Sequence, residues 1–373
     1  MKRLFQFAFL SAAAVALVSG MASCSKGGDD TQLSEYLKIV PDKTVIMSDG
    51  FDAATLSVEY DGVDVTGKAV VFNSDGTEAA LQDSRFTTET SGTYSFYATY
   101  NGERSHEVTI TAIDSALPEI PEDPQPESTD FVRRVLLLQF TGTACGNCPY
   151  VMAALDRLST SPVREDYVRV ACHSYNGDDP AYYSGPLARS QDVPGYPHLT
   201  LDLDKNLFVQ SNANSDVVYA TCAGFIQNEL EDRPASAGIA ACAAVSGENV
   251  IVSMSVKAAR SGQYKVGAWL VENGIYAQQA GTSNESYYTH NDCLRYAQYT
   301  GSGTKADYSG ESVGKLDAGE EAEYSFSIPV DEGWKIENCH LVLIVSAAEG
   351  SSYYVNNVAS LEIGGTVSYE YEE

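Results

Sequence analysis

The chain has 373 residues, of which 51 are acidic and 23 are basic, so its formal charge is −28 at pH 7. Such a field repels phosphate backbones, and no basic patch interrupts it, which excludes a nucleic-acid partner. At about 100–200 residues per domain, this length predicts two to four domains, each with its own core.

The first 23 residues are typical of a lipoprotein signal peptide. Lys2 and Arg3 precede an apolar stretch at 4–18, and small residues then lead to Cys24. The stretch is too short to cross a bilayer comfortably, and the small residues fit the cleavage site of a lipoprotein signal peptidase. We therefore expect cleavage before Cys24, a lipid on Cys24 and a tether over 24–32. A buried core helix is the weaker alternative.

No apolar run after residue 24 approaches the ~20 residues that a transmembrane helix needs, so the lipid is the expected membrane anchor. Lys26, Asp29 and Asp30 resemble the Lys-plus-acid tag of surface-exported lipoproteins, although two glycines interrupt them. The pattern predicts an outer-membrane location and leaves open whether the protein faces the periplasm or the cell surface.

The first block, residues 33–114, has short alternating runs between turn signals, which are Asp61-Gly62, Asp75-Gly76, Ser91-Gly92 and Asn101-Gly102. This spacing is typical of a small all-β sandwich, and a hairpin should close at Asn101-Gly102. The block resembles bacterial immunoglobulin-like domains, which lack the antibody disulfide, and residues 25–144 contain no cysteine. We predict a spacer or adhesive module.

Two breaks follow the first block. Residues 115–130 are rich in proline and acid and have almost nothing to bury, so they predict a stiff, extended linker. A weaker break, Asp232-Arg233-Pro234, comes after a helical pattern. These breaks leave a middle block at 131–233 and a third block at 235–370.

The middle block mixes strand and helix periods. Its predicted strands are 135–140, 167–174, 198–202 and 207–210, the last two joined as a hairpin by Lys205-Asn206. Two helical stripes are formed by Val151, Leu155 and Leu158, and by Val218, Cys222, Ile226 and Leu230. The order β-α-β, irregular insertion, β-β-α is the minimal thioredoxin order, so we predict an α/β domain of that class.

The third block returns to strands, at 249–258, 264–271, 321–328 and 340–346. These runs alternate or are apolar throughout, so we predict a second β-sandwich. Residues 273–316, rich in Gly, Ser, Thr and Tyr, are predicted as a loop excursion of the kind that carries binding surface when ordered.

Cys145 and Cys148 lie at the first strand-to-helix junction of the middle block. Cysteines three apart at a helix start share one side of the first turn, so they can form a disulfide or stand as a dithiol. The helix dipole favours a thiolate at Cys145, which we expect to be solvent-accessible and to attack, while Cys148 resolves the mixed disulfide. A static structural disulfide is the first alternative. Metal ligation is weaker, because no second pair of ligands completes a site.

Five short motifs resemble one family. They are Phe140-Thr141-Gly142, Cys145-Gly146-Asn147-Cys148-Pro149, Cys172-His173-Ser174, Gly195-Tyr196-Pro197 and the stretch 290–295. Together they resemble the outer membrane protein 28 related family of Bacteroidetes lipoproteins, over residues 131 to about 365. The resemblance implies a thioredoxin-like domain followed by a β-sandwich, and the status of an outer-membrane lipoprotein.

Thioredoxin-like folds pack a cis-proline loop beside the cysteine pair, and Pro197 has that place in the order of elements. We therefore predict a cis Tyr196–Pro197 bond. The sequence departs from such folds in two places, since Ala144 replaces the tryptophan that commonly precedes the pair and Gln139 replaces a buried acid.

Two histidines are candidates for the same site. His173 ends the strand expected beside the cysteine-bearing strand and is a candidate to stabilise the Cys145 thiolate, with a hydrogen-bonded surface histidine as the alternative. His198 follows Pro197 and has a similar but weaker claim.

The remaining cysteines divide into two groups. Cys172 and Cys222 fall on apolar faces and should be core thiols. Cys242, Cys293 and Cys339 allow one disulfide whose partners the sequence does not assign, so at least one free thiol should remain.

Two functional hypotheses follow. The leading one is an outer-membrane lipoprotein, anchored by a lipid at Cys24, that exchanges disulfides on exported proteins through Cys145 and Cys148, with Pro197 and His173 at the site. The competing one is a surface binding or adhesion lipoprotein that recognises surface ligands and uses the pair as a permanent clip. Neither hypothesis includes a cofactor or a metal, and the oligomeric state stays open.

Overall fold

The computed structural model describes residues 32–114, 116–207 and 214–372. The expected signal peptide and the expected lipidation site, Cys24, lie outside these residues. Among the described residues, no helix has both the length and the hydropathy that a membrane span requires.

The first block consists of short strands, as predicted, and they are β1 Gln32–Leu33, β2 Leu37–Pro41, β3 Val45–Met47, β4 Ala54–Tyr60, β5 Val63–Asp64, β6 Val70–Asn73, β7 Arg85–Phe86, β8 Gly92–Tyr100, β9 Glu103–Arg104 and β10 Val108–Ile113. One sheet has the order β1-β9-β8-β10-β3, with β6 paired to β8, and the other has the order β2-β4-β5, with β7 paired to β4. Leu56, Phe96 and Ile110 belong to one buried cluster between them.

The hairpin predicted at Asn101-Gly102 is confirmed. β8 and β9 pair antiparallel, with Tyr100 opposite Glu103. Asn101 and Gly102 have φ angles of 50° and 80°, in the left-handed region that Asn and Gly adopt at the least cost. A two-residue turn with positive φ matches the twist of the two strands that it joins.

Residues 116–130 contain no helix or strand, in line with the predicted linker, but they are bound to the third block. Lys257 Nζ donates to the Asp123 carboxylate at 2.7 Å, and Lys257 is only 2% exposed. Tyr371 donates to the same carboxylate at 2.8 Å, and Ile120 packs into an apolar cluster. The segment is therefore attached rather than free: all of residues 116–130 are at least partly exposed, but Asp123 is the charged partner that the buried Lys257 requires.

The middle block alternates strands and helices, and its elements are β11 Val135–Thr141, α1 Cys148–Leu158, β12 Tyr167–His173, α2 Leu187–Ser190, β13 His198–Leu201, β14 Lys205–Leu207 and α3 Ser215–Asp232. β11 is parallel to β12 and antiparallel to β13, and β14 pairs with β13. α1 and α3 cover one face of this sheet, where Leu155 and Ile226 share a buried cluster with Leu137. The predicted order of elements is confirmed, although residues 208–210 of the predicted fourth strand lie outside the described residues.

Two details of the middle block differ from the prediction. The hairpin turns at 202–204, where Asp202 and Leu203 have positive φ, and Lys205 already belongs to β14. In α3, Glu229 is fully buried, whereas Leu230 is only half-buried. The carboxylate of Glu229 turns inward because it pairs with a buried arginine, a contact that an apolar pattern does not reveal.

The third block consists of β15 Ala237–Ser246, β16 Asn249–Ala258, β17 Gly262–Glu272, β18 Ile275–Tyr276, β19 Thr289–His290, β20 Cys293–Tyr296, β21 Glu311–Leu316, β22 Glu321–Pro329, β23 Cys339–Glu349, β24 Ser352–Glu362 and β25 Thr366–Val367. The four predicted strands are confirmed as β16, β17, β22 and β23. One sheet has the order β22-β16-β15-β25 and shares a core with β17, β23 and β24. The predicted loop excursion, 273–316, is not a loop throughout, since it supplies β18 to β21.

One sheet continues from the middle block into the third block. Its order is β14-β13-β11-β12-β20-β17-β23-β24, with β21 paired to β17. The join is between β12 and β20, where Ala171 lies opposite Cys293 and the Ala171 amide donates to Asp292 O at 2.8 Å. Phe140 and Trp269, from the two blocks, share one buried cluster on a face of this sheet. The cysteine pair is therefore held on a framework that both blocks build.

Candidate functional site

The cysteine pair lies between the end of β11 and the first turn of α1. Cys145 and Cys148 are joined by a disulfide, with their Cα atoms 5.4 Å apart. The Cys145 amide donates to Gly142 O at 3.0 Å, and the Cys148 amide donates to Cys145 O at 3.2 Å. Pro149 follows in the first turn of α1, where a missing N–H costs little. The resulting cysteine loop, residues 142–148, is a compact turn closed by its own backbone and by the disulfide.

The expectation that Cys145 is solvent-accessible is wrong. Cys145 is 3% exposed and Cys148 is fully buried. Residues 277–281 of the third block, which we call the covering segment, lie against the cysteine loop. Gln279 Nε2 donates to Cys145 O at 2.9 Å and to Gly142 O at 3.3 Å. These residues are more than 130 positions apart in the sequence, so the local sequence pattern could not predict the burial of Cys145.

The covering segment also makes main-chain contact with the loop. The Ala280 amide donates to Thr143 O at 2.8 Å. Gly281 has φ +80°, and a Cβ built on it would lie 1.9 Å from Gly146 O. Only a glycine permits this approach of the two backbones.

Pro197 lies at the same edge of the sheet as the pair. The Tyr196–Pro197 bond is cis, as predicted. In the antiparallel pairing of β13 with β11, His198 is opposite Phe140, so Pro197 continues this register next to Thr141, one residue before the cysteine loop. Pro197 is buried. The order of elements therefore located the proline correctly relative to β11.

His173 is buried and forms a hydrogen bond with a carboxylate. Its Nδ1 atom lies 2.8 Å from Asp179 Oδ2, and the Thr143 amide donates to the same oxygen at 2.7 Å. The Ala181 amide donates to the other carboxylate oxygen at 2.9 Å. The hydrogen-bonded alternative for His173 thus describes the contact, although the side chain is 2% exposed rather than at the surface. His173 contacts the cysteine loop through Asp179 and Thr143.

The hydrogen bonds around Asp179 stabilise its charged form. Burial by itself raises the pKa of Asp179, but the hydrogen bond from His173 and the amides of Thr143 and Ala181 outweigh burial and lower the pKa to about 2. Asp179 is therefore an ionised, buried group that orders the start of the cysteine loop.

His290 connects this carboxylate to the covering segment. Its ring meets the His173 ring edge-on, with the centroids 4.9 Å apart, and its Nε2 lies 3.2 Å from Ala277 O. Burial and the proximity of His173 lower the pKa of His290. We call His173, Asp179 and His290 the histidine cluster. It contacts both the cysteine loop and the base of the covering segment.

A small polar cleft of about 90 Å³, open to solvent, lies beside the histidine cluster. Its lining comes from β11, β12, α1 and the segment before β20, and includes Gln139, Asp156, Arg169, His173, Tyr287 and His290. Burial raises the pKa of Asp156. Gln139 is 3% exposed and lines this cleft.

Sequence reasoning assigned no site role to Asp179, Gln279, Ala280 and His290, the last of which it named only within a family motif. Asp179 lies in the irregular insertion after β12, where only its nearness to a strand end could have drawn attention. Gln279 and Ala280 lie in a polar excursion without a period. His198 does not join the cluster, since its Nε2 is bonded to Asn206 at 2.9 Å.

The other cysteines of the described residues are free thiols. Cys172 and Cys222 are core thiols, as predicted, and burial raises the pKa of each to about 12. Cys242, Cys293 and Cys339 do not form the disulfide that the sequence allowed. Because their pKa values are so high, the thiols of Cys172 and Cys222 are poor nucleophiles at neutral pH.

The chain is thus a multidomain, β-rich protein that carries a disulfide at a strand-to-helix junction. The family resemblance drawn from the motifs is confirmed, because a model of the family "Outer membrane protein Omp28" matches residues 186–367. The cysteine pair precedes the matched range. No curated protein sequence matches the chain.

Two solved structures from Porphyromonas gingivalis are similar to the chain. "HBP35" is 15% identical, with a TM-score of 0.50, over 66% of this chain and 80% of that one. A domain of the outer membrane lipoprotein Omp28 is 16% identical, with a TM-score of 0.22, over 35% of this chain and 90% of that one. The first likeness is one of fold.

Proposed function

We propose that this protein is an outer-membrane lipoprotein, anchored through Cys24, whose middle block exchanges disulfides on exported proteins. The match to the family of outer membrane proteins supports the location. The signal-peptide pattern that ends at Cys24 supports the anchor.

We further infer that the middle block is thioredoxin-like and is flanked by an immunoglobulin-like sandwich and a carboxyl-terminal sandwich. The support is the pairing of β11 with parallel β12 and antiparallel β13, and the packing of α1 and α3 on one face of this sheet. The likeness to HBP35 adds support at the level of fold.

One observation carries the chemistry: the disulfide is at the amino-terminal turn of α1, with Pro197 in register beside the end of β11. A disulfide between residues three apart closes so short a loop that the entropy model assigns it only about 2 kcal/mol of stabilisation. Stability alone is therefore a weak reason for placing a cysteine pair at this turn. A helix amino terminus also favours the thiolate that exchange requires.

The exchange proceeds in two balanced steps. A client thiolate attacks Sγ of Cys145, a client–Cys145 disulfide forms, and Cys148 leaves as a thiolate. A second client thiolate then attacks the client sulfur of this mixed disulfide and releases Cys145 as a thiolate. The client loses two electrons as its own disulfide forms, and the pair gains them. In the reverse direction, Cys145 attacks a client disulfide and Cys148 resolves the intermediate.

Pro197 and His173 have supporting roles in this proposal. The register of β13 with β11 places Pro197 beside Thr141, the residue that precedes the cysteine loop. His173 acts as a positioning residue, because its hydrogen bond keeps Asp179 oriented toward the Thr143 amide at the start of the loop.

The test is a redox titration of the mature chain in glutathione and dithiothreitol buffers, read by alkylation and mass spectrometry. We expect the Cys145–Cys148 disulfide to have a reduction potential above roughly −300 mV. We also expect the wild-type protein to oxidise a dithiol peptide, and the Cys145→Ser variant to lose this activity. Cys148→Ser should accumulate the mixed disulfide. Cys242→Ser, at a partly exposed free cysteine outside the pair, is the matched control and should behave as wild type.

A second candidate function is a surface binding or adhesion lipoprotein in which the disulfide is a permanent clip. The burial of Cys145 and Cys148 favours it. A pair that stays oxidised below roughly −300 mV and oxidises no dithiol peptide would establish the clip. Protease treatment of intact cells would identify the membrane face on which either function operates.

A further inference from the structure

The covering segment contacts the cysteine loop through backbone carbonyls of the loop, which accept one hydrogen bond from a main-chain amide and two from a side-chain amide. The Ala280 amide and the Gln279 side-chain amide donate to the carbonyl oxygens of Thr143, Cys145 and Gly142. Backbone carbonyls pair with the N–H groups of any extended polypeptide, whatever its side chains. The loop therefore presents acceptors for a main chain, and residues 277–281 occupy them.

The same contacts leave one polar atom unsatisfied. Gln279 is 1% exposed, and its Oε1 atom has no hydrogen-bond partner. A buried carbonyl oxygen without a donor costs free energy that it regains when it meets water. Release of the covering segment would hydrate this atom, which lowers the cost of opening.

Resting on the exchange function proposed above, we propose that residues 277–281 occupy the place of an extended client peptide and must move before a client thiol reaches Cys145. The client class is then an extended stretch of polypeptide that carries a cysteine. The covering segment takes no part in the bond changes. Its displacement frees the carbonyls of Gly142, Thr143 and Cys145 for the N–H groups of the client.

The first experiment opens the segment in the full mature chain. In Gly281→Ala, the new Cβ would overlap Gly146 O, so the segment has to lift away. The matched control is Gly274→Ala, at a glycine with a similar φ of +74° in the same excursion, where the nearest atom to a new Cβ is 3.8 Å away. The readout is the rate at which dithiothreitol reduces the Cys145–Cys148 disulfide, quenched with N-ethylmaleimide and read by mass spectrometry.

We expect Gly281→Ala to be reduced about tenfold faster than wild type, since the loss of a few hydrogen bonds shifts a local opening equilibrium by that order. Gly274→Ala should match wild type. Gln279→Ala, which removes two of the hydrogen bonds without backbone strain, should accelerate reduction about fivefold, and a thermal melt checks that each variant is folded. Equal rates for wild type, Gly281→Ala and Gln279→Ala would overturn the proposal.

The second experiment tests the client class. A reduced, unstructured peptide with two cysteines should be oxidised faster than the same peptide with N-methylated backbone amides next to its cysteines. Equal rates would contradict recognition of the main chain. Reduction by dithiothreitol needs no client, so a variant that opens but oxidises no peptide refutes the exchange function and leaves the covering role standing.

Discussion

The two ends of β11 are held in different ways. Before its amino end, Arg133 is 6% exposed, pairs with Asp202 and Glu229, and donates to Asn356 O of β24 at 2.7 Å. Beyond its carboxyl end, the cysteine loop is held by neutral hydrogen bonds from the covering segment. A charged network thus fixes one end, and a few neutral hydrogen bonds close the other.

This difference indicates which end of β11 can open at the lower cost in free energy. Removing one partner from a buried ion network leaves a charge uncompensated, at a cost of about 3–5 kcal/mol. A neutral hydrogen bond contributes only about 1 kcal/mol. Motion that exposes the disulfide therefore requires much less free energy than loss of the Arg133 ion network.

The largest effect is expected for Arg133→Met. It leaves the fully buried Asp202 without its partner cation and leaves Glu229 with only the partly exposed Lys205 and Arg233, so unfolding in guanidinium chloride should show a loss of about 3–5 kcal/mol. The matched control is Arg164→Met, whose partner Glu165 is exposed, with an expected change below about 0.5 kcal/mol. Equal losses in the two variants would mean that the network does not fix this end.

A smaller effect, with a defined pH dependence, is expected for Asp179→Asn. The folded-state pKa of Asp179 lies below its ordinary value of 3.8, so the ionised carboxylate stabilises the fold above about pH 4. A fall from 3.8 to about 2 corresponds to about 2 kcal/mol.

The gap in unfolding free energy between wild type and Asp179→Asn should thus be largest at pH 6 and shrink as the pH falls from about 4 to 2. Denaturant titrations across this range measure it. The neighbouring exposed Asp178→Asn is the control and should show no such convergence. A gap that stays constant with pH would show that the charge of Asp179 is not what holds the cysteine loop.

The double variant Cys145→Ser with Cys148→Ser should lose about 2 kcal/mol, in keeping with the short loop that the disulfide closes. Equilibrium unfolding of oxidised wild type, reduced wild type and the variant measures this value. Reduced wild type should resemble the variant. A loss as large as that of Arg133→Met would favour the clip over exchange.

The smallest effect is expected for Lys205→Met. Lys205 pairs with Glu229, but its side chain is 32% exposed, so water screens the pair and the expected loss is about 1 kcal/mol. Denaturant unfolding beside Arg133→Met measures the contrast. If Lys205→Met loses as much unfolding free energy as Arg133→Met, the stabilising effect of the network comes from the ion pairs of Glu229 alone.

Elements with a clear period could be predicted from the sequence. β16 has the predicted bounds, 249–258, because ten residues in a row carry a strand pattern. The positions of the cysteine pair and of Pro197 at the ends of β11 and β13 could also be predicted, since both depend on the order of neighbouring elements. Local patterns were enough where the structure is built from local contacts.

The rest depends on contacts between distant residues. β20 is four residues long and lies in a polar excursion, yet it joins two blocks into one sheet. Arg133 precedes an apolar run as a surface residue would, and only its partners make it a buried one. The cover over Cys145 comes from residue 279, and no local pattern encodes that burial.

The join of β12 to β20 has a consequence for how this chain can be divided. A fragment that ends after α3 would leave the outer edge of β12 without its neighbour, and a bare sheet edge invites pairing with other molecules. Residues 131–372 should therefore be kept together as one structural unit in any truncated or chimeric protein.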